Sequence, residues 1–212
     1  MPLPTRRDAP YVKAETALLL VDMQRIWCEP GLDPAHPDAD PGSYYFSRVR
    51  TTVIPNQVRL LSAARAAGIE VLHTIIEALT PDGRDRSPDH KLSNILVPRG
   101  LPEGRVIPQL APLDHEIILP KTSSGVFNST NIDFVLRNLN IRYLIVAGVV
   151  TDQCVDMAVR DAADRGYFVT VPEDACATYS DTRHRAALIA FGGYGWITDT
   201  AGALGHLAAM SR

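Results

Sequence analysis

Tyr143-Leu144-Ile145-Val146-Ala147-Gly148-Val149-Val150-Thr151-Asp152-Gln153-Cys154-Val155 is the stretch on which the fold turns. It opens as an apolar, β-branched run of strand length, breaks at a glycine, and passes through a short turn into the helical pattern that Cys154 begins. A strand followed directly by a helix is the repeating unit of a parallel sheet, because parallel neighbours are joined by a crossover and not by a tight hairpin.

The same unit recurs in both directions. Apolar runs stand at Thr16–Val21, Glu70–Ile75, Glu116–Leu119, Phe168–Val171 and Trp196–Thr198. Between them Ile132, Val135, Leu136 and Leu139 keep helical spacing, as do Leu60, Leu61, Ala64 and Ala67 in a segment that Pro55 opens and Gly68 closes. With the run at 143–147 this predicts an α/β fold, a three-layer αβα sandwich around a six-stranded, mostly parallel, Rossmann-like central sheet with right-handed crossovers. Glu29–Gly42 and Leu79–Gly104, rich in Pro, Asp and Gly, interrupt the rhythm and read as long surface loops able to cover a substrate.

A chain of 212 residues with 46% hydrophobic and 21% charged residues suits one domain spanning 1–212, with residues 1–13 as an extended N-terminal arm. A net charge of −3 provides no basic surface for nucleic acid or an anionic membrane. With no apolar run long enough to span a bilayer, and arginines and prolines where a signal peptide would be apolar, the expected location is cytoplasmic. Cys28, Cys154 and Cys176 are too few and too scattered for a disulfide framework.

In open α/β sheets ligands bind beyond the carboxyl ends of the strands. Three reactive side chains stand there: Asp22 ends LeuLeuLeuValAsp, Lys121 follows IleIleLeuPro, and Cys154 begins the helix after the quoted strand. Singly, each has an ordinary reading as a turn cap, a solvated cation or a packed thiol. Together they form a set. A thiol at a helix N-terminus beside an ammonium is expected to be the best-activated thiol of the chain. Asp22 can take its proton and later pass it to a leaving nitrogen, with Lys121 holding that carboxylate ionised. The amides of GlyValValThrAspGlnCys can stabilise an oxyanion.

LeuLeuValAspMetGln at 19–24, ProLysThrSerSerGlyValPheAsnSerThrAsn at 120–131 and ValAlaGlyValValThrAspGlnCysVal at 146–155 together resemble the isochorismatase-like cysteine hydrolases. That superfamily includes nicotinamidases, N-carbamoylsarcosine amidohydrolase, ureidoacrylate and biuret hydrolases, and streptothricin hydrolase. The resemblance covers nearly the whole chain and implies Asp22, Lys121 and Cys154 as the catalytic residues. It also implies a non-proline cis peptide between Val149 and Val150, an oxyanion hole made by the amides of Val150 and Cys154, no cofactor, and assembly as a homodimer or homotetramer. Where nicotinamidases carry an Asp-x-His metal arrangement, this chain reads LeuHisThrIleIleGluAlaLeu at 72–79, so no metal is expected. The thiol at 154 separates it from the isochorismatases proper, which lack one.

The reaction expected is hydrolysis of a C–N bond in a small linear amide, carbamoyl or ureido compound, or lactam, by water through a thioester on Cys154. Trp27, Glu77 and Phe127 are the expected substrate contacts, lying a few residues beyond motif positions. Glu77, if it faces the pocket, favours neutral or cationic substrates. The rival readings are a metal-assisted, nicotinamidase-type amidase using His73 and Glu77, and a non-catalytic binding protein on the same scaffold.

Overall fold

A computed structural model describes residues 6–210. Its strands are β1 (Thr16–Val21), β2 (Glu70–Ile76), β3 (Ile117–Lys121), β4 (Tyr143–Val149), β5 (Phe168–Pro172), β6 (Cys176–Ala177) and β7 (Gly195–Thr198). They form one sheet in the order β3-β2-β1-β4-β5-β7, with β6 added beside β4, and every strand pair is parallel. The sheet therefore has seven strands where six were expected. The extra one is two residues long, too short to carry a periodic signal, and it pairs with Gly148 and Val149 of β4 beyond the point where β5, paired with Tyr143–Ile145, has ended.

Every residue of β1 and of β4 is buried. Central strands covered on both faces read as unbroken apolar runs, which is why these two were plain in the sequence. The helices are α1 (Arg25–Cys28), α2 (Tyr44–Arg48), α3 (Ile54–Ala67), α4 (Pro88–Leu92), α5 (Val126–Ser129), α6 (Ile132–Asn138), α7 (Asp156–Asp164), α8 (Asp181–Phe191) and α9 (Thr200–Ala209). A wider helical turn at Val49–Val53 joins α2 to α3. The helical run is therefore continuous from Tyr44 to Ala67, and Pro55, expected to open it, stands inside it next to the wider turn. Gly68 caps its end in the left-handed conformation at φ 66°, and Leu60, Leu61, Ala64 and Ala67 are buried. α3 packs beside α9 and on β1 and β2, and α7 packs on β4 and β5 beside α5 and α8, so the sheet is sandwiched.

Of the expected N-terminal arm, residues 1–5 lie outside the described residues. The segment at 6–12 has no strand or α-helix, yet Tyr11 is buried with its ring 6.2 Å from that of Tyr143 and 5.0 Å from His206. Among the described residues no helix is long and apolar enough to cross a membrane.

From β1 the chain builds outward through β2 to β3, then returns across the sheet to start β4 on the other side of β1. The order thus reverses between β1 and β4, and a crevice opens beyond their carboxyl ends. Gly148 lets these two strands meet there. It has φ 144°, and a Cβ at this position would lie 2.2 Å from the carbonyl oxygen of Val21, the residue before Asp22. Gly148→Ala is expected to lower unfolding free energy by about 3 kcal/mol, read from denaturant unfolding, because backbone and not a flexible side chain must yield. An unchanged unfolding midpoint would contradict this account of the strand approach.

Candidate active site

The crevice gathers Asp22 from the end of β1, Lys121 from the end of β3, and Cys154 from the helical turn Thr151–Val155 that follows β4 and runs into α7. All three are buried, and Lys121 has no exposed surface. The Lys121 Nζ lies 2.9 Å from Asp22 Oδ2, donates to the Ser123 carbonyl at 3.0 Å and reaches Cys154 Sγ at 3.4 Å. Asp22 adopts a positive φ of 55°, which an aspartate tolerates better than most residues. Its N–H donates to the Thr74 carbonyl at 3.1 Å, and the Thr74 hydroxyl donates to Oδ1 at 2.7 Å. Thr74 thereby occupies one carboxylate oxygen, while Oδ2 faces the Lys121 ammonium at 2.9 Å. The Val149–Val150 peptide is cis.

Asp22 and Cys154 open onto a cavity of about 640 Å³, large enough for a ligand of drug size. Ile26, Trp27 and Ile76 line it from the sheet end, and Tyr45 and Phe46 from α2. The two long loops furnish much of the wall: Asp33, His36 and Asp40 from the first, His90 and Ile95 from the second. Gln24, fully buried, holds this floor together. Its side-chain amide donates to the carbonyls of Ile76 at 2.9 Å and Gly104 at 2.7 Å, and its oxygen accepts from the Ile76 N–H at 2.7 Å and the Trp27 indole at 3.0 Å.

The family model described as the isochorismatase domain matches residues 16–202, which contain all three of these side chains and both cavity loops. The chain belongs to the isochorismatase family. Among its relatives, the ureidoacrylate amidohydrolase RutB of Agrobacterium fabrum is 31% identical over 192 residues, 82% of each chain. The RutB of Serratia proteamaculans is 33% identical over 196 residues, 82% of this chain and 74% of that one. A cysteine hydrolase structure from Pseudomonas syringae pv. phaseolicola superposes with a TM-score of 0.81 at 28% identity, covering 95% of this chain and 96% of that one. The N-carbamoylsarcosine amidase of Thermoplasma acidophilum, at TM-score 0.70 and 22% identity over 88% of this chain and 96% of that one, shares the fold.

Within this isochorismatase-family site the three expected substrate contacts separate. Trp27 lines the cavity. Glu77 does not: Ile76, the residue before it, faces the cavity, and alternation past the strand end turns Glu77 away to accept the Gly100 N–H at 3.2 Å. Phe127 is core, with its ring 6.0 Å from that of Tyr167 and the Arg165 guanidinium over its face. Cys28, too, is buried in the core and away from the cavity.

His73 and Glu77 cannot share a cation, since four residues of strand hold their backbones about 13 Å apart. His73 instead lies 3.4 Å from Glu116, which Arg65 grips with two hydrogen bonds. Among the described residues no group of three or more His, Cys, Asp or Glu side chains is placed to hold a metal ion. Four side chains at the site escaped the sequence reading. Thr74, Gln24 and Ser124 stood inside quoted runs with no role assigned, whereas His90 came from a segment without a chemical pattern.

Burial pushes the Cys154 thiol up to about 12, the Lys121 ammonium opposing and Asp22 reinforcing. Lys121 is buried at a cost to its charge, yet Asp22 and Cys154 raise it above its ordinary value, so it remains an ammonium. The cluster before reaction is therefore a neutral thiol beside an ion pair. Sign follows directly: with a raised thiol, the reactive thiolate is scarce below about pH 12. Alkylation of Cys154 by iodoacetamide, followed on its own peptide by mass spectrometry, should rise about tenfold per pH unit from pH 7 to 10. A plateau between pH 6 and 8 would mean that the thiolate is preformed.

Proposed function

We propose that the protein is a cysteine-dependent amidohydrolase that cleaves a C–N bond of a small amide, ureido compound or lactam, with Asp22, Lys121 and Cys154 as its catalytic residues. The observation that carries this reading is the single ammonium within 2.9 Å of a buried carboxylate and 3.4 Å of a buried thiol at the wall of the cavity. The amidohydrolase relatives support the same bond type.

Because the thiol is neutral, its proton leaves as the sulfur attacks. Asp22 accepts it while the Cys154 sulfur bonds to the carbonyl carbon. Val150 and Cys154 lie at the start of a helical run, where first-turn N–H groups lack intrahelical partners, and these two amides receive the developing oxyanion. Collapse breaks the C–N bond as Asp22 returns the proton to nitrogen, leaving a thioester. Water then adds to the thioester carbon, Asp22 taking its proton, and the acid departs as sulfur regains a proton. Lys121 keeps Asp22 anionic in a dry site and stabilises the sulfur each time charge builds there. The cycle consumes one water, uses no cofactor, and suits a cytoplasmic enzyme whose single hydrolase domain spans the chain. A homodimer or homotetramer is the proposed assembly.

A pooled library of amides, ureides and lactams, incubated with native protein and with Cys154→Ala, tests this. A compound that gains one water only with native protein supports the reading, and equal conversion by the variant would rule out the cysteine mechanism. Against that substrate, Asp22→Asn should lower kcat by about 10² to 10⁴. Lys121→Met should lose activity and about 3 to 5 kcal/mol of stability, because it strands a buried carboxylate. Preincubation with a strong chelator should leave the rate unchanged, whereas a loss restored by zinc would point to a metal-assisted hydrolase.

A further inference from the structure

The cavity wall is charged with one sign. Besides Asp22, which Lys121 balances, Glu29, Asp33, Asp38 and Asp40 line it, and among the described residues no lysine or arginine does. Glu29 is paired with Arg25, and Asp33 with His36. Asp38 and Asp40 are exposed and make no ion pair among the described residues.

Aromatic faces accompany these carboxylates. Trp27, pinned through its indole by Gln24, lines the cavity with Tyr45, Phe46 and Tyr179. The Tyr45 ring stands 5.1 Å edge-on to Phe46 and 5.2 Å from Tyr179. Ring faces and carboxylates both attract an organic cation, and both repel a carboxylate.

A polar contact lies deeper. His90 is almost wholly buried, lines the same cavity, and has a ring nitrogen, Nδ1, with no partner among the described residues, while Nε2 lies 3.4 Å from the Ser124 hydroxyl. Burial and the nearby Lys121 charge hold His90 below its ordinary value, so it offers a hydrogen bond without adding a positive charge.

Building on the amidohydrolase reading, we propose that the cavity selects substrates in which the scissile group sits on an apolar body bearing a protonated amine, and that it discriminates against carboxylates. The amine faces the Asp33, Asp38 and Asp40 wall, the apolar body lies against Trp27, Tyr45 and Tyr179, and His90 meets a polar group next to the scissile bond. The volume of about 640 Å³ exceeds what a few-atom amide would fill and suits such a body.

The test measures binding apart from turnover. Calorimetry on Cys154→Ala compares 4-(aminomethyl)benzamide with 4-carboxybenzamide, and ureidoacrylate serves as a second anion. The ammonium compound is expected to bind at least about tenfold tighter than either anion at low salt. Raising salt to about 0.5 M should shrink that ratio, and so should the combined variant Asp33→Asn, Asp38→Asn, Asp40→Asn. Equal or tighter binding of the anions, or no binding of the ammonium compound at about 10 mM, overturns the proposal. An ammonium preference that neither salt nor the variant reduces overturns its assignment to these carboxylates. Turnover by native protein is scored separately: preference without turnover of any amide counts against the hydrolase reading alone, and turnover without preference against the charge selection alone.

Discussion

A lysine ammonium with no water contact is the constraint around which the rest is arranged. Stripping water from a charged group costs several kcal/mol, so Lys121 is tolerable only where a counter-charge and further acceptors wait for it. Asp22 supplies the charge, and the Ser123 carbonyl and Cys154 sulfur complete the surroundings. Since Lys121 ends β3 and Asp22 follows β1, the pair must bridge the intervening β2, and Thr74 of β2 uses that position to bind Asp22 Oδ1. One buried pair thus ties three neighbouring strand ends to the turn after β4. The same dryness that makes the pair costly keeps the thiol protonated, so the geometry that stores the nucleophile also requires a base within reach.

Gln24 solves a second problem at the same edge. β1 stops before β2 does, which would leave the Ile76 N–H and carbonyl buried without a strand to meet them. The Gln24 side-chain amide pairs with both, as a backbone would, and spends its remaining capacity on Gly104 and the Trp27 indole. The sheet end, the close of the second long loop and one aromatic wall of the cavity are in that way fastened to one residue. The two long loops, unsuited to the core because of their Pro, Asp and Gly content, become the walls that face whatever occupies the cavity.

Local information carried far here. Buried strands leave apolar runs and amphipathic helices leave a helical period, traces that need no partner to be read, and the runs read at 16–21, 70–75, 143–147 and 168–171 all fall within strands. Gly68 marks the end of its helix for a reason intrinsic to that residue, whereas Pro55 stands inside a helical run that already begins at Tyr44. The rule that ligands lie beyond strand carboxyl ends then placed Asp22, Lys121 and Cys154 at one edge. Sequence distance from a motif proved a poor guide to the cavity: Glu77 and Phe127 lie as near their motifs as Trp27 does, but strand alternation and the helix face on which each stands turn them elsewhere.

The amino-acid sequence by itself determined the α/β class, the order of strand and helix, and which three reactive side chains end their strands, because periodicity and strand termini are properties of consecutive residues. The tertiary structure alone decided the two-residue β6, the buried Asp22–Lys121 pair, the raised thiol of Cys154, and the convergence of Asp33, His90 and Tyr179 on one cavity. Those depend on burial and on charges brought together from distant parts of the chain, and neither quantity exists until the chain has folded.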